Sequence, residues 1–114
     1  MGVMRIFSNH PRSTGGETGF GPDRREALRL RLQLYCDRHI AAETSEAPDH
    51  LDRRFTAFFT AALRGGYIDA DRCPEILAHL FVAVLANLDL RKSGGAPAHE
   101  LRQAAKSAIR LIIN

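Results

Sequence analysis

The chain has 114 residues, 45% of them hydrophobic and 25% charged, with a formal net charge of +3. That length suits one domain with a modest core, and that composition is ordinary for a soluble globular protein. Nine Arg/Lys stand against eight Asp/Glu over residues 1–57, and seven against five over 58–114, so no basic block points to a nucleic-acid partner.

Five of the nine glycines fall in Met1–Gly21, together with Ser8, Pro11, Ser13 and Thr14. Such a segment buries too little to offset its ordering entropy, so residues 1–21 are expected to be a flexible arm. Val3–Phe7 is the part able to add a short strand or dock onto a groove. No phosphate loop is expected at Gly15–Gly21, because no strand precedes it and no Lys-Ser/Thr follows.

Residues 22–114 are expected to form the helical domain. Pro22-Asp23 has the signature of a helix start, and the first helix is expected to run to Ala42. Leu28, Leu30, Leu32 and Leu34 alternate with Arg29, Arg31 and Gln33, which is also a strand period. Helix is the expectation, because Leu and Arg favour helices and no β-branched residue precedes Ile40; a strand is the alternative. As a helix the stretch has two apolar stripes. One is Leu28, Leu32, Tyr35, His39 and Ala42; the other is Ala27, Leu30, Leu34 and Ala41. A helix with two stripes is expected to lie between two neighbours.

Glu43–Ala47 reads as a loop, and Pro48-Asp49 restarts the chain. Leu51, Phe55, Phe58, Phe59, Ala62 and Leu63 then share one helical face, with Asp52, Arg53, Thr56, Thr60 and Arg64 opposite. Gly65-Gly66 ends this helix, since glycine accepts the left-handed cap conformation. Tyr67–Cys73 is a linker, and Asp71 or Cys73 caps the next helix, with Pro74 in its first turn.

From Ile76 to Leu88 only His79 and Asn87 are polar. The bulky residues Ile76, Leu77, Leu80, Phe81, Val84, Leu85 and Leu88 fall on one broad face, and Ala78, Val82 and Ala86 form a smaller stripe. A helix apolar nearly all round is expected to be covered on more than one side. The stretch Ile76–Leu90 is too short to cross a bilayer, which takes about 20 residues. Ser93–Pro97 breaks the chain, and the last helix, from Ala98 to about Ile113, aligns Leu101, Ala104, Ala105, Ala108, Ile109 and Ile112. The fold class expected is therefore all-α: a four-helix bundle-like domain behind a flexible arm.

Cys36 and Cys73 are too few for a disulfide scaffold, and no signal peptide or myristoylation pattern is visible, so a reduced, cytoplasmic setting is expected. Cys36-x-x-His39 and Cys73…His79 contain the donor types zinc takes, but the second spacing is irregular; no metal and no other cofactor is expected. No serine elbow or paired buried carboxylates appear, and the chain is not expected to be an enzyme.

The run from Ala62 to Ile113 resembles the C-terminal end of TetR-type transcriptional regulators. The likeness lies in Arg64-Gly65-Gly66-Tyr67-Ile68, the Asp-containing linker, the Ala/Leu-rich helix, the Gly/Pro loop and the ending Ile109-Arg110-Leu111-Ile112-Ile113. Ala42-Glu43 and Pro48-Asp49-His50-Leu51 extend it upstream. The resemblance implies a ligand-sensing and dimerisation domain, in which the last two helices pair with their copies and a small apolar molecule sits among the preceding ones. On that reading Tyr35, His39, Phe55, Phe59 and Phe81 are the ligand-binding candidates. Ala78, His79, Val82, Ala86, Leu101, Ala105, Ala108 and Ile112 are the homodimer-interface candidates. Each has a plainer reading: the aromatics as core, His39 as a boundary residue with a local partner. The family's helix-turn-helix precedes its sensing domain, and Met1–Gly21 is too short and glycine-rich to supply one, so no direct nucleic-acid binding is expected. The alternative is a stand-alone helical module for protein–protein interaction.

Overall fold

A computed structural model describes residues 20–42 and 47–114, with side chains described from Arg24 onward. Four helices make up this part of the chain: α1 (Phe20–Ala41), α2 (Pro48–Arg64), α3 (Pro74–Ser93) and α4 (Ala98–Ile112). Among the described residues there is no strand. The alternation at Leu28–Leu34 is therefore helical. Helix α1 opens at Phe20, inside the stretch expected to be arm, because proline fits a first turn whose N–H groups need no intrahelical partner. The rest of the expected arm, with the Val3–Phe7 strand, lies outside the described residues. So does Glu43–Glu46 of the expected loop.

Helix α2 packs most extensively on α3, α1 packs on α4, and α3 on α4, with a narrower contact between α1 and α3. Helices α2 and α3 both stop at glycine caps. Gly66 at φ 79° lets Gly66 N–H reach the Leu63 carbonyl and Tyr67 N–H the Ala62 carbonyl. Gly95 at φ 95° repeats the pattern, with Gly95 N–H on Lys92 and Ala96 N–H on Arg91. Each is a Schellman arrangement, which needs the left-handed residue that glycine supplies.

Further carbonyls at the helix C-termini are met by cations from elsewhere in the chain. Lys92 Nζ donates to the carbonyls of Ile40 at 2.6 Å and Ala42 at 2.8 Å, closing α1. Arg24 Nη1 donates to Gly65 at the end of α2. Arg29 and Arg72 donate to the carbonyls of Ile113 and Ile112 at the end of α4. A positive charge on orphan carbonyls offsets the negative end of the helix dipole.

The core takes Leu28, Leu32, Cys36 and Ile40 from α1, then Leu51, Phe55, Phe58, Phe59 and Ala62 from α2. It continues with Leu77, Ala78, Phe81, Leu85 and Leu88 from α3 and Leu101, Ala105, Ile109 and Ile112 from α4. Two expectations change here. Helix α1 buries its Leu28–Cys36–Ile40 side, while the second stripe, with Leu30 60% and Leu34 40% exposed, is left largely uncovered. Helix α3 is covered on one side only: Ile76, Leu80 and Leu90 are exposed, as are Ala83 and Ala86. Which arc is buried was decided by where α1, α2 and α4 lie. The phenylalanines of α2 fill the space beside α3, and the small Ala78 falls inside.

Candidate functional site

The structure brings the five ligand-binding candidates together, but as packing. Tyr35 meets Phe55 edge-on at 4.9 Å between ring centroids, and Phe55 lies 4.7 Å from Phe81. Phe59 is 6.3 Å from Phe55 and 6.4 Å from Phe81, and His39 stacks 6.3 Å from Tyr35. Aromatic rings in contact sit about 4.5–7 Å apart, so these side chains lie at one another's contact distance. Phe55, Phe59 and Phe81 are buried. Their burial favours the plainer reading of these rings as core, since three phenylalanines on the inward face of α2 help to fill the bundle.

The two polar members of the set are satisfied locally. His39, its side chain 7% exposed, places Nε2 3.0 Å from Asp89 Oδ1 on α3. Arg54 sits 5.8 Å above the Tyr35 ring and donates to its hydroxyl. His39 is thus an inter-helix tie, the plainer of its two readings.

Four of the eight interface candidates are also core. Ala78 and Ala105 have no exposed surface, and Leu101 and Ile112 are buried. Enclosed by their own chain, these four side chains have little or no area to give a partner. Ala86 is exposed, and Val82 and Ala108 are half-buried. His79 is 69% exposed, with Nδ1 2.8 Å from Asp52 Oδ1. It lies in an open groove between α2 and α3 whose walls include Asp49, Asp52, Arg53, Thr56 and Glu75.

What remains uncovered on α3 is a continuous stripe: Ile76, Leu80, Ala83, Asn87 and Leu90, at helical spacing. No charged residue occurs on α3 between Glu75 and Asp89. On α4, Ala104 and Ala108 are half-buried and Leu111, at the next turn, is 79% exposed. Ile76 and Leu80, expected on the broad bulky face with Leu77 and Phe81, lie on this uncovered side instead.

A second surface went unseen in the linear charge count. From Arg24 on, α1 and α4 together carry eight Arg/Lys against three Asp/Glu, whereas α2 and α3 carry five against four. Between α1 and α4 runs a groove of about 170 Å³ lined by Glu26, Arg29, Leu30, Gln33, Lys106, Ile109 and Arg110. Neither groove is lined by any of the five ligand candidates.

Among the described residues no group of three His, Cys, Asp or Glu side chains is placed to hold a metal. Cys36 is buried and Cys73 exposed, so the zinc pairing they suggested is not assembled. Burial, with a smaller contribution from Asp37, pushes the Cys36 thiol up to about 12 from 9.0. The protonated thiol therefore contributes stability below pH 9, and this is lost as pH rises toward 12. Native protein at pH 8 is expected to react with Ellman's reagent at Cys73 only. Cys36 should react on unfolding in urea, and rapid native labelling of both thiols would contradict its burial.

The described residues thus form an all-α, bundle-like protein, and no helix among them is long and apolar enough to cross a membrane. Compared with known proteins, the chain matches no family model, no curated protein and no solved structure.

Proposed function

We propose that the chain is the dimerisation domain of a TetR-like transcriptional regulator, two copies pairing through the outer faces of α3 and α4. One observation carries this reading: α3 leaves Ile76, Leu80 and Leu90 outside, on a face without charge between Glu75 and Asp89. Contiguous exposed apolar surface of this kind marks an association site, and a face repeated on two copies suits a two-fold interface. Ala83, and Ala104 and Ala108 on α4, let a facing backbone come close. The family's ligand-sensing role has less support, because the aromatic candidates pack against one another. That packing favours the second reading, a helical module that binds a different protein through the same face.

Analytical ultracentrifugation tests the proposal. The wild-type chain is expected to sediment as a dimer at micromolar concentration. Leu80→Arg and Ala83→Arg place a charge on an exposed position, so each should leave helical circular dichroism intact. Each should also shift the dissociation constant at least about a hundredfold, toward monomer. A wild-type monomer at all concentrations would sink the pairing model and leave the second reading. A thermal-shift screen with apolar small molecules addresses sensing: a stabiliser would restore that role, and none would retire it.

A further inference from the structure

We propose that the groove between α1 and α4 docks an acidic, amphipathic segment of a partner protein. Two independent observations meet there. The first is apolar: Leu30 and Leu34, one turn apart on α1, are 60% and 40% exposed, and Leu30 forms part of the groove wall. The second is electrostatic. Arg102, Lys106 and Arg110 recur every four residues along α4, all exposed, and Lys106 and Arg110 line the same groove. Successive members of that row are about 6 Å apart along the helix axis. Among the described residues none of the three has an acidic partner. The neighbouring Arg29, by contrast, is already occupied by Glu26 and the Ile113 carbonyl.

The complementary ligand has apolar side chains one turn apart flanked by carboxylates at the same pitch. A helix with leucines at i and i+4 and glutamates beside them meets that description. Duplex DNA fits less well, because the exposed leucines give a phosphate backbone nothing. A bilayer also fits less well, since the leucine beside the cations sits in a groove between two helices and a membrane presents a flat surface. The site is on a different face from the pairing stripe, so the two readings stand or fall separately.

The probe is a fluorescein-labelled synthetic helix of about 16 residues, four turns and more, with leucines at i and i+4 and glutamates on either side. Fluorescence anisotropy with the full chain is expected to rise and saturate, and to weaken with added salt. Leu30→Ser/Leu34→Ser and Lys106→Glu/Arg110→Glu should each weaken binding at least about tenfold. Exposed positions make both variants compatible with the fold, and circular dichroism checks this. Sedimentation of the same samples reports pairing independently. The proposal is overturned if the peptide does not saturate, or if either double variant binds like wild type. It is also overturned if a matched lysine-for-glutamate peptide, a DNA duplex or phosphatidylserine vesicles bind as tightly.

Discussion

Phe59→Ala is expected to lower the unfolding free energy by about 3–5 kcal/mol, the range for emptying a buried aromatic site. Phe59 has no exposed surface and lies 5.2 Å from Phe58 and within ring contact of Phe55 and Phe81. Removing it strips neighbours on α2 and α3 of their contacts at once, and helices this well packed collapse into the gap only partly. Small domains are stable by about 5–15 kcal/mol in total, so the variant should lie near the edge of folding at ambient temperature. Urea unfolding followed by far-ultraviolet circular dichroism reads the loss as a fall in midpoint at unchanged slope. The same substitution in the wall of a ligand cavity would cost far less. A measured loss under about 1 kcal/mol would return Phe59 to its pocket role and contradict the packing described above.

Ala78→Leu is expected to cost about 1–3 kcal/mol through overpacking. Ala78 is fully enclosed in the core, on the buried arc of α3. Ala86, two turns later and exposed, is the control: Ala86→Leu should change stability by no more than about 0.5 kcal/mol. Denaturation at several protein concentrations separates the two locations a small residue can occupy. Damage to the core lowers the stability of each chain at every concentration. Damage to a seam between copies appears in the concentration dependence of the transition. An Ala78→Leu protein as stable as wild type but weaker in association would place Ala78 at the seam after all.

These two positions show where reading the sequence worked and where it did not. The inward face of α2 was legible at Leu51, Phe55, Phe58, Phe59 and Ala62 because bulky apolar residues recur at one angular position and polar ones at the other. Gly65-Gly66 was legible as a stop because the left-handed cap conformation suits glycine above other residues. On α3 the same reasoning had nothing to grip. A helix with Ile, Leu, Phe and Val all round its circumference has no polar side to mark which arc faces water. Ile76 and Leu80 were therefore grouped with the core, and Ala78 with a seam. Arg102, Lys106 and Arg110 were legible as one polar face of the last helix by the same periodicity, but only folding sets that row beside Leu30 of α1.

The amino-acid sequence by itself determined that this is a helical protein, where its helices stop and which side of α2 turns inward. Those are local matters: propensity, periodicity and capping act within a turn or two of chain. Tertiary structure alone decided which residues of α3 are left outside, that the aromatic candidates close on one another, and that cations from one helix cap the end of another. Lys92 reaching Ile40, Arg24 reaching Gly65 and Arg29 reaching Ile113 join residues 41 to 84 positions apart. No local pattern encodes such pairs, because they depend on the relative placement of whole helices, and that placement is settled only when all four bury their apolar faces together.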